Sequence, residues 1–241
     1  MIIVKSPAEI EKMSKACQLS AAVLKYAGEQ LNAGMSTYEL DKLIYDYIIA
    51  HGAKPSFLGY GGFKGSACIS LNDEVIHGIP DKKKIIRSGD IVSIDVGAYI
   101  DGYHGDNAYT FKVGAVSPVA EKLLRVTNEC LHLGIAAAKP GNRMCDVDNA
   151  CRDYITEMGY GPYFTHRTGH SIGMEDHEFG DVSSVNTDII KPGQCFSVEP
   201  GIYLMDEGIG VRIEDIVLIT EDGCEVLNNF TKDLIVVPME D

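Results

Sequence analysis

The chain writes one pattern twice. "GDIVSIDVGAY" at residues 89–99 returns as "GQCFSVEPGIY" at 193–203, 104 positions later, with glycine, serine, glycine and tyrosine in register and Asp95 answered by Glu199. A second match is independent of the first. "GMSTYELDKLIYDYIIAHG" (34–52) and "GNRMCDVDNACRDYITEMG" (141–159) share Gly, Asp, Asp-Tyr-Ile and Gly at a constant offset of 107. Two nearly equal offsets, in segments of different character, imply a duplicated unit. The 241 residues then divide into halves of about 1–114 and 115–241 within a single domain.

Each half reads as helix, helix, sheet. Ser6 before Pro7, with Glu9 three residues on, opens a helix, and Ile10, Met13, Ala16, Cys17, Ser20, Leu24 and Ala27 follow one stripe as far as "NAG" (32–34). A second helix starts at "STYEL" (36–40) and runs to His51-Gly52. Strand-like runs follow at 67–71, 90–100 and 103–113, the last two joined by the hairpin signal Asp101-Gly102. The order then returns. Helices are expected over about Ser117–Ala138 and Cys145–Met158, and strands over "CFSVEPGIY" (195–203), "GVRIEDIVLIT" (210–220) and "CEVL" (224–227). The expected fold class is α+β: pseudo-twofold halves, with helices on one face of a central antiparallel sheet.

In this frame Asp95 and Glu199 take equivalent places, and each half supplies a second acid on the partner strand: Asp106, eleven residues after Asp95, and Glu214, fifteen after Glu199. Side chains alternate faces along a strand, so a short hairpin can return the second acid beside the first. Four carboxylates converging in a sheet interior repel, and burying them unpaired is costly. Two divalent ions supply the four positive charges that balance them. Histidines lie close in sequence: His77 in "VIHGIP", and His166, His170 and His177 in "THRTGHSIGMEDHE". One imidazole with four carboxylates is a mixed N/O set suited to Mn, Fe, Co or Zn more than to Mg or Ca.

The motifs "HGIP", "IDVGAYIDGYHGD", "GHSIG…H", "SVEP" and "RIEDIV" resemble the metal-site motifs of the pita-bread metallopeptidases, the group of methionine aminopeptidase, aminopeptidase P and prolidase. The resemblance spans essentially the whole chain. It implies the pita-bread fold and a dinuclear centre held by Asp95, Asp106, His170, Glu199 and Glu214, with Asp106 and Glu214 bridging. It also implies that His77 and His177 flank the site and contact the substrate. Such a centre suits peptide hydrolysis, because paired ions lower the pKa of water towards neutrality and polarise the scissile carbonyl. Glu199 is then the expected base and His77 or His177 an oxyanion donor.

The two halves differ in which relatives they favour. "SPAEIEKM", "STYELD", "PSFLGYGGF" and "ACISLNDEVIHGIP" are similar to the bacterial type of methionine aminopeptidase, as is the length; that resemblance puts Phe57, Tyr60, Phe63 and Cys68 around the first side chain. An aromatic, sulfur-tolerant slot suits methionine. "EPGIY", "GVRIEDIVLIT" and His166, four residues before His170, look more like the proline-specific relatives. The chain has no tryptophan, carries Asp176 where an aromatic residue commonly precedes the second histidine, and follows Glu214 with Asp215 where histidine is common. Methionine aminopeptidase is the expected activity, Xaa-Pro aminopeptidase or dipeptidase the alternative. A peptide-binding module without catalysis would be expected to have broken ligands. His166 is expected to hydrogen-bond near His170.

Composition narrows the partners. With 35 acidic against 21 basic residues the formal charge is −14, which disfavours strong nucleic-acid binding; the lysine run "DKKKIIR" (81–87) reads as a solvated loop. No apolar run reaches the roughly 20 residues of a membrane span, and "MIIVKSPAEIEKM" reads as neither signal nor transit peptide. Seven scattered cysteines without a C-x-x-C pair read as reduced thiols. The expectation is a cytoplasmic monomer acting on peptide and nascent-protein N-termini, with transient ribosome contact the further partner to consider.

Overall fold

The computed structural model describes residues 2–75, 77–232 and 236–237. Its four helices stand where the sequence places them: α1 (Pro7–Gln30), α2 (Thr37–Ala50), α3 (Pro118–Ala137) and α4 (Met144–Glu157). At the start of α1 the Ser6 amide and hydroxyl both donate to Glu9 Oε2 at 2.7 Å. Ser36 and Glu39 repeat this on α2, and Ser117 Oγ accepts from the Ala120 amide on α3. These caps satisfy polar groups that a first helical turn leaves open.

After the first helix pair come β1 (Lys54–Pro55), β2 (Ala67–Leu71), β3 (Ile91–Ile100) and β4 (Tyr103–Val113). After the second come β5 (Gly169–Ser171), β6 (Glu178–Val182), β7 (Cys195–Val198), β8 (Gly201–Leu204), β9 (Ile209–Arg212), β10 (Asp215–Ile219) and β11 (Cys224–Val226), while β12 (Val236–Val237) adds to β4 in parallel. One sheet has the order β1-β3-β4-β12 with β2 also on β3; the other runs β11-β10-β7-β5-β6; β8 and β9 form a separate ribbon. A bridge between Ala108 and Glu214 joins the halves. The architecture is the expected α+β pita-bread arrangement, with the second half repeating the element order of the first.

The second half corrects one expectation. The strand expected over 195–203 breaks between Val198 and Gly201, and the one over 210–220 breaks between Arg212 and Asp215. Pro200 has no N–H to give a ladder. At both breaks the acid changes partner: the Glu199 amide donates to the Thr168 carbonyl at 2.8 Å, and the Glu214 amide to the Ala108 carbonyl at 2.9 Å. The backbone leaves its own hairpin where a carboxylate must turn towards the other half.

The β3–β4 hairpin shows how the acids are sorted from the core. Asp95 pairs with Ala108 and Gly97 with Asp106, so both acids lie on one face as diagonal neighbours. The other face carries Val92, Ile94, Val96, Tyr109 and Phe111, which belong to the main hydrophobic core together with Leu24 of α1, Ile44 of α2, Leu124 of α3 and Cys151 of α4. Gly105 sits on that helix-facing side, where an added Cβ would lie 2.2 Å from the Ala16 carbonyl carbon of α1. Gly105→Ala should therefore lower stability by about 1–3 kcal/mol, read as a lower urea midpoint. Gly223→Ala, at a position with open space around it, should leave the midpoint in place.

Candidate metal and peptide site

A cavity of ≈ 660 Å³ is lined from both halves. All five predicted ligands border it, as do His77 and His177 and the predicted pocket residues Phe57, Tyr60, Phe63 and Cys68. Asp95 lies in β3 and Asp106 in β4; His170 is the centre of β5; Glu199 and Glu214 occupy the two strand breaks. Asp215 pairs with Val198, and the β7–β10 ladder ends there, one residue short of Glu199 and Glu214.

The central group is tight. One ligand atom from each of Asp106, His170 and Glu214 lies within 4.8 Å of the other two, and all three residues are buried. His170 Nε2 is 3.5 Å from Glu199 Oε1 and 3.9 Å from Asp106 Oδ2. Ser197 Oγ accepts from the His170 amide at 2.9 Å and donates to Glu199 Oε1 at 3.0 Å, tying the orientation of the acid to the backbone of the histidine. Arg212 Nη2 donates to Asp95 Oδ2.

Burial sets the electrostatics. It pushes the Asp106 and Glu214 carboxyls well up, with further upward push from Glu214 on Asp106 and from Glu199 on Glu214. Glu199 is raised by burial, partly offset by Arg212. Burial lowers His170 to about 4, which keeps its imidazole neutral and able to ligate. Asp95 Oδ1, Asp106 Oδ1 and Glu214 Oε1 are buried without hydrogen-bond partners. Buried carboxylate oxygens in want of a positive partner, beside one neutral imidazole, fit a divalent cation with N/O ligands.

The rim comes from two loops. Gly78 packs against β2 so closely that a Cβ would meet the Ile69 carbonyl oxygen at 2.3 Å; its carbonyl accepts from the Ile69 amide at 2.9 Å and its amide donates to Ser70 Oγ at 3.1 Å. This anchor holds His77, with φ +57°, exposed at the cavity mouth. The His177 ring stacks on His170 with centroids 4.0 Å apart, and Tyr60 stacks on His177 at 5.7 Å. Burial lowers His177 to about 4.

Several residues near the site were not singled out in the sequence for the roles they take here. Arg212, two residues before Glu214, is a charged side chain in an otherwise apolar β9, and that placement was the available signal. Asp148 and Arg152, four apart on α4, brace the loop leading to His170: the Thr168 hydroxyl donates to Asp148 Oδ1 at 2.8 Å, and Arg152 Nη2 donates to the His166 carbonyl at 2.7 Å. His166 itself lies outside the cavity lining. Its Nδ1 donates to the Arg167 carbonyl at 2.7 Å, so Nε2 accepts from the Tyr203 hydroxyl at 3.1 Å.

Known proteins resemble the chain in sequence and fold. A methionine aminopeptidase of Clostridium acetobutylicum is 38% identical over 227 residues, covering 92% of this chain and 90% of that protein. The crystal structure of methionine aminopeptidase from Rickettsia prowazekii superposes with a TM-score of 0.90 at 29% identity, covering 95% of this chain and 100% of that one. The prolidase of Pyrococcus horikoshii OT3 superposes equally well, TM-score 0.90 at 32% identity, but the chain spans only 66% of its length. The family model of the M24 metallopeptidases matches residues 11–221, and with it the chain belongs to metallopeptidase family M24.

Proposed function

We propose that this chain is a methionine aminopeptidase, one catalytic unit over residues 1–241 with halves of about 1–114 and 115–241. It hydrolyses the first peptide bond of peptides and nascent proteins that begin with methionine. The observation that carries the reading is the convergence on one cavity of the five ligand positions, both flanking histidines and the aromatic pocket residues. Sequence relatives bearing that name, matched over most of their length, support it.

Asp95, Asp106, His170, Glu199 and Glu214 would hold two divalent ions, of which Mn, Fe, Co and Zn suit the donor set. When bound, the ions polarise the scissile carbonyl and lower the pKa of water. Glu199, oriented by Ser197, takes the proton of the attacking water and returns it to the departing amine nitrogen. His77 and His177, at the mouth, donate to the carbonyl oxygen as charge develops there. Phe57, Phe63 and Cys68 receive the apolar first side chain, with Tyr60 beside them.

The second reading, an Xaa-Pro aminopeptidase or dipeptidase, is favoured by one feature. Arg212 on Asp95 and Tyr203 on His166 come from the motifs that resemble the proline-specific relatives. Release of methionine from Met-Ala-Ser, set beside release of the first residue from Xaa-Pro-Ala peptides, decides between them; faster turnover of the Xaa-Pro series would displace methionine aminopeptidase.

Chelation should abolish hydrolysis and lower Tm, because the buried acids lose their counter-charge, and added Mn should restore both. Glu199→Gln should reduce kcat by about 10²–10⁴-fold. His77→Ala should reduce kcat with little change in metal content measured by elemental analysis; loss of a metal ion would make His77 a ligand instead.

A further inference from the structure

One acid in the cavity wall has nothing to hold. Asp176 is 2% exposed and lines the cavity, and neither of its carboxylate oxygens has a hydrogen-bond partner. Among the described residues its ionic neighbours are two imidazoles beyond good hydrogen-bond distance: His177 Nδ1 at 3.5 Å from Oδ2 and His104 Nδ1 at 3.6 Å from Oδ1. His104 Nδ1 is already engaged with Ser56 Oγ at 2.9 Å. The guanidinium of Arg212, which lines the same cavity, is taken by Asp95.

A carboxylate kept out of water with no donor is costly, and a well-folded wall replaces it with an apolar residue unless something enters the cavity to pair with it. Asp176 lines the same cavity as Phe57, Phe63 and Cys68. Resting on the aminopeptidase reading, the substrate brings one obligatory cation, its α-ammonium group, and in some sequences a second on the first side chain.

We propose that Asp176 is a substrate-binding residue that receives a positively charged nitrogen of the amino acid being released. The acid selects chains with a free amino terminus if the nitrogen is the α-ammonium. It widens the accepted first residues towards basic ones if the nitrogen belongs to the side chain.

The test compares wild type with Asp176→Asn, a shape-conserving change, and Asp176→Leu, both reconstituted with Mn, by calorimetric binding of four amides. L-Methioninamide against 4-(methylsulfanyl)butanamide isolates the α-ammonium; L-lysinamide against L-norleucinamide isolates a side-chain cation. A charge-assisted contact predicts that Asp176→Asn weakens L-methioninamide by about tenfold or more while leaving its des-amino counterpart unchanged, or erases an advantage of lysinamide over norleucinamide. Either pattern supports the proposal and names the nitrogen. A purely structural role would shift both members of each pair together. Ratios unchanged from wild type in Asp176→Asn, or in Asp176→Leu if only that variant folds, overturn the proposal. Hydrolysis of Met-Ala-Ser by the wild type is measured separately and tests the aminopeptidase reading alone.

Discussion

Gathering Asp106, Glu199 and Glu214 around a neutral His170 is the constraint on which the rest of the structure depends. Two like charges about 4 Å apart oppose each other by about 4 kcal/mol even at an effective dielectric of 20. The protein accepts this repulsion at a buried place, and its backbone is arranged around it. Asp95 and Asp106 share one face of a long, regular hairpin whose opposite face is core. Glu199 and Glu214 sit at two strand breaks, with their amides committed to the carbonyls of Thr168, just before β5, and of Ala108 in β4. Acids placed on loops could swing apart and relax; acids pinned by ladder hydrogen bonds cannot, and a cation is then the means of relief. Such stored unfavourable energy is characteristic of functional sites in rigid scaffolds.

The halves divide the work. The first contributes a hairpin with two acids, the Gly78 anchor that presents His77, and the aromatic run that begins at Phe57. The second contributes His170, Glu199 and Glu214, together with the elements that aim them: Asp148 and Arg152 on α4, Ser197 beside Glu199, and Arg212. This explains why the chain superposes equally well on a methionine aminopeptidase and on a prolidase. What superposes is the backbone of the helices and sheets. Side chains on the rim are not weighed by a superposition of backbones.

Much of this was legible in the sequence because it follows from period and register. Helix starts at Ser6, Ser36 and Ser117 carry capping signals that act locally, and the β3–β4 hairpin is set by the Asp101-Gly102 turn and by alternation. The paired acids could be located because duplication put Asp95 and Glu199 at matching places. The breaks at Glu199-Pro200 and Ile213-Glu214 were less legible: apolar residues continue on either side, and only the proximity of β4 and Thr168 gives those amides other partners. Arg212, His166 and Tyr203 belong to the same class. A buried arginine can be seen as unusual in a strand, but that its partner is Asp95, 117 residues away, is a fact of tertiary structure.

Asp95 is held at one carboxylate oxygen only. Its Oδ2 is held by Arg212, while Oδ1 is buried and without a partner. A guanidinium is planar and permanently charged, so it fixes the plane of the carboxylate without competing for the proton. The second oxygen is left in one orientation, next to the face that carries Asp106. Were Arg212 absent, Asp95 would be free to rotate away from that orientation. The ion pair therefore supports the orientation of an acid in the cavity wall, and the burial of Arg212 in β9 finds its reason there.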